Sequence, residues 1–240
     1  MFSNNIRRKE AFTLIELSIV LIIISLIVGG VIGGKSLLHS AKLKSVVAEY
    51  NVYLTAYNNF TLQYDDIPGD MVNATDYWPG VAVNGNGDKR ISGAWLVVEG
   101  VNAWHHLSLA GLVGGTYVGS NGGYTGNTIL NVTVPASKME GKGWAMVDTG
   151  VLHGRQGNAL GFMKPSSWPG GANQYPWGNS LSPRDALSID KKIDDGDPRN
   201  GIVYIGTVIA SWLNRCVNST TGVVGLTYTT DECGLVFWLD

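Results

Sequence analysis

The chain has 240 residues, a formal net charge of −2 and only 15% charged residues. That length suits one sizeable domain, or one domain with an appendage. The near-neutral balance offers no basic field of the kind that attracts nucleic acid, so no nucleic-acid partner is predicted. The 32 Gly, 8 Trp and 10 Tyr suit a loop-rich fold outside the cytoplasm better than a cytosolic enzyme.

Residues 12–34 form an apolar run in which Glu16 is the one charge. As a helix at about 1.5 Å per residue it spans roughly 34 Å, enough for a bilayer core of about 30 Å. Arg7, Arg8 and Lys9 precede it, and Lys35, Lys42 and Lys44 follow it. The flanking charges are nearly balanced and do not set its orientation. An ordinary signal peptide and a plain membrane anchor both leave Glu16 unexplained, and a carboxylate there costs about 2.5–3.5 kcal/mol on insertion scales. A cut before Phe12 supplies a partner. The new α-amine has a pKa of roughly 8 and is mostly positive at neutral pH. In an assembly of such helices Glu16 of one chain meets the terminal ammonium of the next. The local alternative is a bond from Glu16 to the start of its own helix.

The stretch KEAFTLIELSIVLIII, residues 9–24, resembles the N-terminal signature of type IV pilins and of the related pseudopilins of type II secretion. The resemblance implies cleavage between Ala11 and Phe12 by a prepilin peptidase, which also methylates Phe12, and a role for Glu16 in subunit recruitment. It implies a leader over 1–11, a membrane or filament-core helix over 12–34, and a structural role rather than an enzymatic one. The subunit would wait in the bacterial inner membrane as a single-pass protein, leader cytoplasmic and head periplasmic, before joining a filament of pilin-like subunits. Two departures stand out. The family usually has Gly where Ala11 stands. In place of a helix proline this chain has Gly29, Gly30, Gly33 and Gly34, which either let the helix bend or let neighbouring helices pack closely.

Beyond Gly34, Leu43, Val46, Val47, Tyr50, Tyr53, Leu54, Tyr57, Phe60 and Tyr64 recur at helical spacing. Residues 35–64 therefore read as the amphipathic half of the same helix, with an aromatic stripe for the core of a head. Asp65, Pro68 and Gly69 stop it. Residues 65–240 read as the head. Segment 71–78 is a short helix or turn, 84–90 a loop, 99–112 a helix, and 182–196 a helix capped by Ser182 with Pro183 in its first turn. Strands are predicted at 143–152, 158–163, 201–210, 222–228 and 234–240, with a long Pro/Gly/Trp loop at 164–181. The fold class is α+β: a long N-terminal helix packed on an antiparallel sheet.

Candidate sites in the head are few. Asn84, Asn86 and Asp88 have the spacing of a calcium loop, but Lys89 and Trp95 stand where that loop needs Gly and Glu, so a plain turn is favoured. Asp190, Asp194, Asp195 and Asp197 repel one another unless something pairs them. Calcium does so in one reading, and Lys191, Lys192, Arg199 or solvent in the others; no cofactor is otherwise required. His105 and His106 are adjacent and point to different faces, which argues against a metal pair. Cys216 and Cys233 either pair, in an oxidising compartment, or stay as buried thiols. The resemblance favours the disulfide, as in the C-terminal region of many type IV pilins. No catalytic constellation accompanies His153 and Asp148. Trp168, Tyr175 and Trp177 support an alternative function, a minor pilin or secreted adhesin-like module that stacks on sugars.

Overall fold

The computed structural model describes residues 13–92, 98–122, 128–148, 156–167, 174–206, 213–218 and 221–239. Ala11, Phe12, Trp95, His153 and Trp168 lie outside them. The chain divides into two compact units, Met1–Lys42 and Leu43–Asp240.

Helix α1 runs Leu14–Tyr64, 51 residues, and is unbroken through all four glycines. Among the described residues, a Cβ added at any of these glycines would meet nothing within 4 Å beyond the helix's own backbone. In the first unit the apolar side chains of α1 are exposed, Leu14 at 89% and Leu26 at 72%. Among the described residues α1 is the one helix long and apolar enough to cross a membrane.

In the second unit the predicted stripe is the core. Leu43, Val46, Tyr50, Ala56, Tyr57 and Phe60 are buried, with Val47, Tyr53, Leu54 and Tyr64 packed beside them. They meet an antiparallel sheet built from β1 (Gly143–Asp148), β2 (Asn158–Ser167), β4 (Val203–Gly206) and β5 (Gly234–Trp238), in the order β1-β2-β5-β4. Strand β3 (Gln174–Gly178) pairs with the far end of β2. Tyr50 stacks on Phe237 with ring centroids 4.6 Å apart, and Tyr53 meets Trp144 edge-on at 5.6 Å. The register puts Trp144, Met146, Leu160, Phe162, Leu235 and Phe237 on this face. Ala145, Val147, Ala159, Met163, Tyr204, Val236 and Trp238 share the opposite face and are also buried. Apolar residues on both faces mark a sheet covered on both sides.

Three further helices belong to this unit, of which α3 lies beside β1 and α4 beside β4. Helix α2 is the short turn Ala74–Tyr77, α3 is Val98–Leu109 and α4 is Pro183–Ile193. The end of α3 falls short of the predicted 112, because the chain turns through Gly111 in the left-handed region (φ 70°). Helix α4 starts as its sequence foretells: the Ser182 hydroxyl accepts from Asp185 N at 3.2 Å, with Pro183 in the first turn. A single helical turn, α5 (Leu213–Cys216), was not foreseen.

One strand expectation and one loop expectation need correction. Segment 222–228 forms no strand; Val224 makes one isolated bridge to Val217, and turns follow. A Gly/Val run has strand-like composition, but without a neighbouring strand to complete its hydrogen bonds it stays irregular. The predicted 164–181 loop instead holds the end of β2 and all of β3. The pairing shifts between Lys164 and Ser166, at Pro165, which has no N–H to give to a ladder.

Candidate functional site

The start of α1 is a reciprocal cap. Glu16 Oε2 accepts from the backbone N of Thr13 and from its hydroxyl, both at 2.8 Å, and Glu16 N donates to Thr13 Oγ1 at 3.3 Å. Thr-x-x-Glu at a helix start is a capping box, in which each side chain satisfies a free N–H of the other's backbone. This is the local alternative for Glu16, a bond to the start of its own helix, and the sequence Thr13-Leu-Ile-Glu16 carries its signal. Glu16 is exposed and thus open to a group outside the chain.

Other polar contacts position the head. Glu49 of α1 accepts the Trp144 indole N–H at 2.8 Å and the backbone N of Lys138 at 3.0 Å. His106 Nδ1 accepts from Gly69 N at 3.0 Å, so its proton sits on Nε2, which donates to the Val83 carbonyl at 3.0 Å. The ring therefore ties α3 to two separate loops. Burial, the largest cause, pushes its pKa down to about 4. Neither His105 nor His106 belongs to any group of metal-ligating side chains among the described residues.

The 84–90 loop is a structural turn. Asn84 accepts from Thr75 N, Asn86 from Asp88 N and Asp88 from Arg90 N, at 2.8–2.9 Å. Its anchor is Asp70, a fully buried carboxylate that accepts from Gly87 N and Lys89 N, both at 2.7 Å. At Gly85 a Cβ would lie 2.2 Å from Asp70 Cα, so only glycine fits there. Asp70, Asp88 and Glu99 bring carboxylate oxygens together, yet each already accepts N–H or O–H bonds.

The second acidic group differs. Oxygens of Asp190, Asp194 and Asp195 lie within 4.8 Å of one another where α4 turns toward β4. Asp190 is fully buried, and only the Gly196 backbone N–H bears on its carboxylate. Burial, then the charges of Asp194, Asp195 and Asp197, push its carboxyl up to about 6. Asp197 is turned away, its oxygens taken by Arg199 N at 3.1 Å and Asn200 Nδ2 at 2.7 Å. No Lys or Arg side chain forms an ion pair with these four carboxylates among the described residues.

Cys216 and Cys233 form a disulfide across a sequence separation of 17, and both are fully buried. The bond joins α5 to the segment entering β5, where Cys233 O accepts from Ser180 N at 2.7 Å and Leu181 N at 3.0 Å.

Comparison with known proteins adds one finding. Residues 6–32 match the model of the prokaryotic N-terminal methylation motif. No curated protein and no solved structure matches the chain. The motif and the long apolar helix are consistent with anchoring in the inner membrane, and the proteins that carry this motif are structural. Over these residues the chain carries the type IV pilin and pseudopilin signature.

Proposed function

We propose that the chain is a structural subunit of a type IV pilus or of a type II secretion pseudopilus. Residues 1–11 are a cytoplasmic leader. A prepilin peptidase cuts between Ala11 and Phe12 and methylates the new amine. Residues 12–34 hold the subunit in the inner membrane with its head in the periplasm, and then pack into the filament core with other pilin-like subunits. The observation that carries this reading is the methylation motif at residues 6–32, set on a helix whose apolar side chains are exposed from Leu14 to Leu38. Such a surface needs cover from lipid or from other helices.

The chemistry is assembly. In a lipid or helix-bundle setting the Glu16 carboxylate and a neighbour's Phe12 ammonium are each costly alone, and pairing relieves both. The charge pair thereby sets the stagger between helices. Glu16→Ala should leave the subunit cleaved and membrane-bound but missing from sheared filament fractions. Incorporation at the wild-type level would defeat the pairing mechanism.

A further inference from the structure

We infer that one face of α1, made by Ile24, Val28, Val31, Lys35, His39 and Lys42, binds an anionic phospholipid of the inner membrane. The inference rests on the membrane reading of α1 given above.

At about 100° per residue these six positions fall within an arc of about 80° on the helix. The face is apolar along its first half and basic along its second. Ile24, Val28 and Val31 are half-buried against their own helix, and Lys35, His39 and Lys42 are exposed. All six lie in the first compact unit. From Leu14 to Gly34 the helix rises roughly 31 Å, so Lys35 stands where a hydrocarbon core of about 30 Å ends. The sequence has no acidic residue between Glu16 and Glu49, which makes this stretch of α1 uniformly basic.

A phospholipid presents the same chemistry in the same order, an acyl chain and then a phosphate. Its chain would lie along Ile24, Val28 and Val31, where many small dispersion contacts add up. Its phosphate would accept from the Lys35 and Lys42 ammonium groups as they meet the headgroup layer. An acidic headgroup is favoured over a zwitterionic one, because the latter brings a cation of its own. Neighbouring helices have a different side to use. Gly29, Gly33, Ser36 and Ser40 lie roughly 130° from the centre of the lipid face and allow close backbone approach.

Cleavage before Phe12 gives the face a consequence. It would remove Arg7, Arg8 and Lys9, the basic residues at the other end of the apolar run. The basic anchor of the mature chain would then be the Lys35 face, which draws the helix toward the head-side leaflet, the direction of departure into a filament.

The test uses the full-length protein reconstituted in phosphatidylcholine vesicles with a trace of spin-labelled lipid. Electron paramagnetic resonance reads the fraction of each labelled lipid immobilised by the protein. The wild type should prefer phosphatidylglycerol to phosphatidylcholine. Arg7, Arg8 and Lys9 attract the acidic lipid in every variant, so the comparison is made between variants. Lys35→Gln with Lys42→Gln should lower the preference by up to about fivefold per lysine at low salt. Lys44→Gln removes the same charge from the opposite side of the helix and should leave the preference unchanged. Inorganic phosphate at matched ionic strength should not displace the lipid, since it has no chain for Val28 and Val31. An unchanged preference in the double variant, an equal loss in Lys44→Gln, or displacement by phosphate would overturn the site. Immobilisation of neither lipid would overturn the membrane reading of α1 and the site with it.

Discussion

The Trp144 indole N–H donates to Glu49 at 2.8 Å, joining β1 to the long helix across 95 positions of sequence. Trp144 is fully buried and packs on Tyr53, Phe162 and Phe237, so this bond is the polar fixing point of an otherwise apolar interface. Glu49→Ala should leave the indole without an acceptor and cost about 1–3 kcal/mol. Glu49→Gln retains an acceptor and should cost less. Chemical denaturation of the full-length variants in micelles checks the order. Equal stability of Glu49→Ala and wild type would show that the bond adds nothing.

His106 makes stability depend on acid. Its pKa falls from the usual 6.5 to about 4 on folding, so below pH 6.5 the unfolded chain takes up a proton that the folded ring refuses. The contribution is complete above the unfolded value and is lost as pH drops toward the folded one. The upper limit is about 3 kcal/mol. Protonation would also end acceptance of the Gly69 N–H by Nδ1. The stability gap between wild type and His106→Ala should therefore narrow between pH 6.5 and pH 4. A gap independent of pH would contradict the assignment of a neutral ring.

The disulfide closes the C-terminal region. On the chain-entropy model a loop of this length adds about 3 kcal/mol. Replacing both Cys216 and Cys233 by serine should lower the unfolding midpoint by roughly 10 °C for a unit of this size. Differential scanning in non-reducing buffer measures the drop. An unchanged midpoint would mean that the bond is dispensable.

Glu16 caps Thr13 and is the proposed partner of a neighbour's ammonium, and substitution can separate the two. Glu16→Gln keeps an acceptor for Thr13 and removes the charge. If pairing with a neighbour's ammonium drives recruitment, this variant should be cleaved and anchored but absent from filaments. If it assembles normally, the cap on Thr13 accounts for the residue by itself.

The helical half of the fold was legible because helices record their packing locally. The stripe from Leu43 to Tyr64 repeats at the helical period and is the core seen here. Ser182 and Pro183 likewise announced α4. Strands depend on partners far along the chain. Segment 222–228 has strand composition but no strand to pair with, while Pro176 and the glycines around it disguised β3. Of the candidate sites, the Asp190 group was visible as crowded charge, and its members' roles were not. Nothing in the spacing shows that Asp197 turns away toward Arg199 and Asn200, or that Asp190 is buried. The Glu49–Trp144 bond and the anchoring of the 84–90 loop by Asp70 are equally products of tertiary packing.

The most direct measurement is mass spectrometry of the N-terminal peptide of the mature protein. The account predicts a chain that begins at Phe12 with a methylated amine, four residues before Glu16. A chain that begins near Lys35 would contradict it, because Glu16 would then be absent from the mature protein and a secreted domain would remain.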